Sequence, residues 1–433
     1  MKPIFEQELK FLKDNGINIP EDCWRDGSKI YLTPYDDSPI LILKVIDDKI
    51  NIKKDNRDIF ENNPMRMDDI INKERDRVLE LEKQAIEFLR DFQSKNKDTK
   101  IALAYSGGKD SDVILNIAQK SNIKFMANFF NTSNESAQTY LHVKSSLKNV
   151  PHSFINPKEG YYQWLKRRNY FIPTALTRSC CKEYKEIPLV RFYDKNEPLI
   201  NITGVRKHES TKRSGYQEVM DYDFYINLFG HSNTPKQWVT LAPIVNWTDL
   251  DIWVYLMLYN IGFNVQYRYG FERCGCLICP YESDYTDLLV KYYYPKIWDR
   301  WVNNILKNSF ETSHVEQNYK YSFEEYINHN WKSGKSKEYE IIKLKPTPQR
   351  VKELSELKGI SEELAKKYFQ RRCAKCNKKL TPNDVGMNLK YFGRELSTEN
   401  MLCKKCFCEK TGMNSKDYGK MVINFRESGC NLF

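Results

Sequence analysis

IALAYSGGKDSDVIL, residues 101–115, is the stretch that decides the fold. Its first six residues, IALAYS (101–106), form a short apolar run suited to a strand buried in a parallel sheet. SGGKDS (106–111) follows as a tight turn, and VILNIAQK (113–120) continues as helix. Two glycines let the backbone turn sharply at a strand end and let a ligand come close. The helix behind them points free N–H groups and the positive end of its dipole at that ligand. Ser106 and Ser111 add hydroxyls, and Lys109 adds a mobile positive charge. The hexapeptide therefore reads as an anion nest of phosphate size. It is not a Walker A loop, which needs GxxxxGK[ST].

Outward from this loop the alternation continues. KFMANFF (124–130) reads as a second strand, SAQTYLHVKSSL (136–147) as a helix, and PLINITG (198–204) as a third strand. Short apolar strands alternating with helices imply an α/β domain with a parallel, Rossmann-like sheet. Ligands of such sheets bind beyond the carboxyl ends of the strands, where both SGGKDS and ITGVR (202–206) lie. The chain divides by pattern into a small α+β appendage (1–65), the α/β domain (66–285), a basic helical segment (286–370) and a cysteine-rich module (371–433). A long amphipathic helix is expected from Asp68 to about Ser94.

The chain has 433 residues, 41% hydrophobic and 29% charged, which supports folded domains and excludes whole-chain disorder. Its net charge of +11 is unevenly placed. Residues 286–433 hold 28 Lys and Arg against 18 Asp and Glu, while residues 1–285 hold 40 against 39. A basic C-terminal third points to a polyanion such as nucleic acid, or to a solvated lysine-rich surface. No window approaches 18 uncharged apolar residues, which argues against a membrane span. The opening MKPIFEQELKFLKDNG lacks the apolar core of a secretory signal, so a cytoplasmic location is expected. Ten of the 12 cysteines are clustered: Cys180 with Cys181; Cys274, Cys276 and Cys279; Cys373 and Cys376; Cys403, Cys406 and Cys408. In a reducing compartment such spacing suggests metal binding or redox chemistry rather than disulfides.

Several ordered segments carry a resemblance. AYSGGKDS (104–111) resembles the pyrophosphate-binding PP-loop of the adenine nucleotide α-hydrolase-like superfamily. With FFNTSNESAQTY (129–140), RSCCKEYKEIPL (178–189), ITGVRKHESTKR (202–213), APIVNWTDLDIWVYL (242–256) and YRYGFERCGCLICP (267–280), the chain resembles the phosphoadenosine phosphosulfate (PAPS) reductase family over about residues 100–285. The resemblance implies that Ser106, Gly107, Gly108, Lys109, Asp110 and Ser111 hold nucleotide phosphates. It implies that Asp110 takes part in Mg²⁺ binding, that Arg206 and Arg213 face the phosphate or sulfate end, and that Thr132 and Asn134 line the nucleotide or ribose side. Surface pairing with Glu209 is the plain alternative for the two arginines. Trp247 and Trp253 read as core.

Cys180 and Cys181 with Cys276 and Cys279 resemble the [4Fe-4S] motif of adenylyl-sulfate (APS) reductases; zinc is the other occupant that four thiolates suit. Arg178, Lys182 and Lys185 would offset the thiolate charge, and Cys274 either replaces Cys276 or stays free. Cys373, Cys376, Cys403 and Cys406, two CxxC pairs separated by 26 residues, form a structural zinc signature of zinc-ribbon or treble-clef type. LSELKGISEELAKKYF (354–369) reads as two helices joined at a turn, with a faint likeness to a helix-hairpin-helix. Cys430 follows Gly429 rather than preceding a glycine as in the reductases' terminal motif, and reads as non-catalytic.

The intact hexapeptide is the form the superfamily's ATP pyrophosphatases carry. The expectation is therefore an ATP-using enzyme that adenylates its substrate for sulfur transfer, with ATP, Mg²⁺, a [4Fe-4S] cluster and Zn²⁺ as cofactors. The acceptor would be DNA, as in phosphorothioate modification, or tRNA; the sulfur would come from a cysteine desulfurase or another donor. The alternatives are an APS/PAPS reductase with Cys430 as nucleophile, and a nucleotide-sensing, nucleic-acid-binding subunit without turnover.

Overall fold

Residues 1–55 build an antiparallel sheet from short runs separated by turn residues. The structure, a computed structural model, describes the chain except for residues 60–62, 176, 178, 195, 211–212, 222–236, 370–371, 429 and 431. Strands β1 (Lys2–Pro3), β2 (Trp24–Asp26), β3 (Lys29–Tyr31), β4 (Leu41–Ile46) and β5 (Lys49–Asp55) pair in sequence order. Asp47 and Asp48 join β4 to β5 with φ of +47° and +59°, the left-handed pair that a tight hairpin demands. Helix α1 (Glu6–Asp14) lies between β1 and β2 in the chain.

Helix α2 (Met67–Lys95) buries Ile70, Val78, Ala85 and Leu89, a single stripe at helical spacing. Glu74 and Glu82 fall on the same stripe and are paired there: Glu74 accepts from Tyr35 at 2.8 Å, and Glu82 meets Lys120 at 2.5 Å. The α/β unit then follows as β6 (Lys100–Ala104), α3 (Lys109–Lys120), β7 (Met126–Phe130), α4 (Ala137–Ser146), β8 (His152–Ile155), α5 (Tyr161–Arg167), β9 (Leu199–Ile202), β10 (Val219–Met220) and β11 (Trp238–Leu241). Its sheet has the order β10-β11-β9-β6-β7-β8. All pairings are parallel except the edge pair β10–β11. The chain lays β7 and β8 on one side of β6, then returns to place β9 on the other. The carboxyl ends of β6 and β9 thus flank a topological switch point, where open α/β sheets bind ligands.

Trp24 and Tyr31 of the first sheet lie in the same buried cluster as Ile70 and Val78 of α2 and Leu103, Phe129 and Ile202 of the second sheet. Contacts divide the chain into two units, Met1–Ile305 and Leu306–Phe433. The second unit is helical. It includes helices Pro348–Lys358 and Glu362–Lys367, joined through Gly359 at φ +60° and capped by the Ser361 hydroxyl. Its core gathers Leu354, Tyr368, Val385, Met401 and Phe407 with Cys373, Cys403 and Cys406. Among the described residues no helix is long and apolar enough to cross a membrane.

Candidate functional site

The loop after β6 closes on itself through Ser111. The Ser111 hydroxyl donates to the Gly108 carbonyl at 2.7 Å and accepts from the Gly108 N–H at 3.1 Å, which starts α3 at Lys109. Gly107 sits at φ +74°, and a Cβ there would lie 2.7 Å from the Val143 side chain of α4. The loop after β9 meets it from the other side of the switch point: a Cβ on Gly204 would lie 2.8 Å from the Asp110 carbonyl oxygen. Gly107 therefore lets the loop after β6 lie against α4, and Gly204 lets the loop after β9 reach the Asp110 backbone where the strand order reverses.

Four charged side chains converge there. Arg206, 1% exposed, donates from Nε to Asp110 at 2.5 Å and from Nη2 to Asp249 at 2.7 Å. Lys109 Nζ lies 3.1 Å from Asp110 and 3.6 Å from Asp249. Asp249 arrives as the first residue of helix Asp249–Leu258, which Thr248 and Asp251 cap reciprocally. Burial opposes ionisation of both carboxyls, but Lys109 and Arg206, joined at Asp249 by the Met1 ammonium 2.6 Å away, outweigh it and hold both below the usual carboxylate range. Arg213 stands farther out, paired with Glu209, whose carboxylate also accepts the Arg206 N–H at 2.8 Å.

A polar layer braces the loop from behind. The Lys109 N–H donates to the Tyr267 hydroxyl at 3.0 Å, and Asn264 donates to Thr139 at 2.9 Å. Asp112, buried one turn into α3, lies 2.9 Å from His142 Nε2 and accepts the Tyr105 hydroxyl at 2.5 Å. Burial pushes the Asp112 carboxyl up. None of these residues was singled out in the sequence. The Thr248–Asp251 capping pattern is the signal that could have placed Asp249 at a helix start.

The cysteines separate into distinct settings. Cys180 and Cys181 begin a helical stretch that widens into a π-turn at Lys182–Glu186. Cys180, Cys181, Cys276 and Cys279 lie close enough to perturb one another: a hydrogen bond with Cys181, burial, and the charges of Cys181, Cys276 and Cys279 raise Cys180, and burial, against the Tyr281 amide and with Cys276 adding, brings Cys279 up to about 12. Lys185 lies among them, and Cys276 is the main cause of its ammonium being pushed up to about 12. Arg178 falls outside the described residues. Four thiols that act on one another, with an ammonium among them, are a donor set of the chemistry that an iron–sulfur cluster takes. Thr132 and Asn134, expected on the nucleotide side, are turned to this arm: Thr132 Oγ1 lies 3.4 Å from the Cys276 sulfur, and Asn134 Nδ2 donates to the Ile278 carbonyl at 2.8 Å. Cys274 points elsewhere, to Tyr267, Asp112 and Lys109 behind the glycine loop.

In the second unit Cys373, Cys376, Cys403 and Cys406 place their sulfurs all within 4.8 Å of one another. Tetrahedral Zn–S bonds of about 2.3 Å need such a cage. Burial works against ionising Cys373, yet the amides of Cys403, Cys376 and Lys375 point at its sulfur and bring it down to about 6. Cys408 stands outside this group, and Cys430 is half-buried beside a tail whose Leu432 carbonyl accepts from Tyr368 at 2.9 Å.

Comparisons with known proteins agree with this geometry. The phosphoadenosine phosphosulfate reductase domain family matches residues 100–282. Two uncharacterized proteins of Methanocaldococcus jannaschii are 28% identical over 253 residues and 29% identical over 259, each match covering 58% of this chain and 59% and 51% of the relative. The chain thus spans little more than half the length of those relatives. An adenosine 5'-phosphosulfate reductase of Bacillus subtilis is 23% identical over 187 residues, 42% of this chain and 74% of its own. A PAPS reductase structure from Candida auris aligns with a TM-score of 0.35 at 18% identity, covering 46% of this chain and 93% of that one. Residues 100–282, which carry the glycine loop at the switch point and the paired cysteines, are thus the part of the chain that matches the phosphoadenosine phosphosulfate reductase domain family.

Proposed function

We propose that this chain is an ATP pyrophosphatase of the PP-loop type that adenylates an acceptor for sulfur transfer. An acceptor oxygen attacks the α-phosphorus, the α–β phosphoanhydride bond breaks, and pyrophosphate leaves with the electron pair. A sulfur nucleophile then displaces AMP from the acceptor. The observation that supports this reading is the pair Asp110 and Asp249 at the phosphate loop. Lys109, Arg206 and the Met1 ammonium, 2.6 Å from Asp249, face these two carboxylates, and the surplus of one positive charge offsets little of a tetra-anionic triphosphate. Two carboxylates are, however, the hard oxygen ligands a Mg²⁺–triphosphate brings its metal to. Asp110 and Asp249 would hold the metal, and Lys109 and Arg206 would then bind phosphate oxygens and stabilise charge on the leaving pyrophosphate.

Cys180, Cys181, Cys276 and Cys279 would hold a [4Fe-4S] cluster, which supplies a site for electrons or for sulfur chemistry next to the nucleotide. Cys373, Cys376, Cys403 and Cys406 would hold Zn²⁺ and fold a module too small to close its own core. The excess of Lys and Arg in residues 286–433 favours DNA or tRNA as acceptor, with a cysteine desulfurase or similar protein as donor. Similarity to proteins named adenosine 5'-phosphosulfate reductase favours one second reading, reduction of adenylated sulfate to sulfite.

An oxygen-free assay with radiolabelled ATP and Mg²⁺, with DNA, tRNA or no acceptor, tests the proposal. Pyrophosphate release stimulated by one acceptor supports it. Sulfite formed from adenylated sulfate, with no pyrophosphate from ATP, supports the second reading and overturns the first.

A further inference from the structure

The first sheet and the cysteine arm are joined by a buried ion network. Glu8 of α1 is fully buried, and Arg25 of β2 is 1% exposed. Arg25 Nε donates to Glu8 Oε1 at 2.6 Å, and Lys2 pairs with the other Glu8 oxygen. The remaining Arg25 nitrogens reach across to the arm: Nη1 donates to Glu272 Oε1 at 2.7 Å, and Nη2 donates to the Gly270 carbonyl. The Gly27 N–H adds a second bond to Glu272, also 2.7 Å.

The same two residues hold the other end of the arm. Tyr285, in the helix that follows Pro280, donates its hydroxyl to Glu8 Oε1 at 3.2 Å, and its ring lies 4.4 Å from the Arg25 guanidinium carbon. Gly270 stands at φ +104°, where a Cβ would press on the Glu8 carboxylate at 3.0 Å. The segment that carries Cys274, Cys276 and Cys279 therefore leaves the Glu8–Arg25 pair at Gly270 and returns to it at Tyr285. A guanidinium suits this task because its planar fork fixes several acceptors at set angles, which a lysine ammonium does not.

We propose that Arg25, with Glu8 and Glu272, is a positioning residue for the cysteine arm: the N-terminal sheet holds residues 270–285 at both ends so that Cys276 and Cys279 face Cys180 and Cys181. Residues 1–55 thereby act as the brace of the thiol cage. The functional meaning rests on the reading of those four cysteines as cluster ligands, and the experiment separates the two.

Arg25→Lys keeps a positive charge beside Glu8 but loses the fork; Glu272→Gln, at a position whose side chain is 39% exposed, is the gentler variant. Hydrogen exchange of the full chain, purified without oxygen, should quicken about tenfold or more in residues 270–283 of both variants, with strands β7 and β8 unchanged. Iron release to a chelator should quicken in the same two proteins. Parental exchange in the arm, or an equal rise throughout the unit, overturns the proposal. So does an Arg25→Lys protein that fails to fold while Glu272→Gln exchanges as the parent does. A parent protein that holds no iron defeats the cluster reading instead, and the exchange result still decides the role of Arg25.

Discussion

Asp249 acquires its chemistry from its neighbours rather than from its own burial. Lys109, Arg206 and the Met1 ammonium favour the ionised forms of Asp249 and Asp110 at the glycine loop, and on the proposed function these carboxylates would exchange such a cation for a metal ion. Asp249→Asn should lower kcat/KM for pyrophosphate release about 10²-fold or more and raise the Mg²⁺ concentration needed for half-maximal rate. An unchanged Mg²⁺ dependence would remove Asp249 from the metal site. Asp110, Asp249 and Glu8 all have folded-state pKa values below the usual carboxylate range. A depressed carboxyl adds stability that is fully present above the unfolded value of about 4 and is lost as pH falls through the folded one. The denaturant midpoint should therefore be insensitive to these groups between about pH 5 and 8 and fall below about pH 4, less steeply in Asp249→Asn.

At the scale of elements, the site depends on two close approaches, Gly107 to α4 and Gly204 to the Asp110 backbone. Gly107→Ala introduces a side chain at φ +74° and presses it on Val143, which should destabilise the protein by about 1–3 kcal/mol in thermal or denaturant unfolding. Gly204→Ala keeps an ordinary φ but pushes against the Asp110 carbonyl, so neither backbone can yield without moving the loop. It should weaken nucleotide turnover about 10²-fold with a smaller loss of stability, as measured by initial rates beside a melting curve. The same elements show how much was legible beforehand. Strands β6, β7 and β9 and helices α2, α3 and α4 were read from apolar runs and periodicity. Strands β8 and β11, HSFI and WVTL, were not; they appear in the sheet through pairing with β7 and β9.

For the molecule as a whole, the two units carry different thiol chemistry. Stripping metal with a chelator should abolish most hydrogen-exchange protection in residues 373–427, because structural zinc contributes on the order of 10 kcal/mol to small folds of this kind. Cys403→Ser should do the same, whereas Cys408→Ser, outside the four-sulfur group, should not. If the basic residues of 286–433 meet nucleic acid, retention of DNA or tRNA by the full chain should fall steeply and log-linearly with salt. A salt-independent affinity would reject an electrostatic contact.

The amino-acid sequence by itself determined whatever is local. The glycine turn at 106–111 follows from residue types a few positions apart, as do the parallel strand–helix alternation and the CxxC pairs of the C-terminal module, because turn geometry, helix periodicity and metal-ligand spacing act over that range. Tertiary structure alone decided the partners of residues far apart in the chain. It set Asp249 beside Asp110 and pinned Gly270 and Tyr285 to the Glu8–Arg25 pair. It also turned Cys274 toward the glycine loop while Cys276, two residues on, faces Cys181 and Lys185. Gly275 between those two cysteines stands at φ +158°, a backbone setting that residues with a side chain rarely adopt, so the chain between the two thiols follows a path open to glycine. Which thiol meets which surface then depends on how the arm is docked, and that is a property of packing between segments more than 200 residues apart.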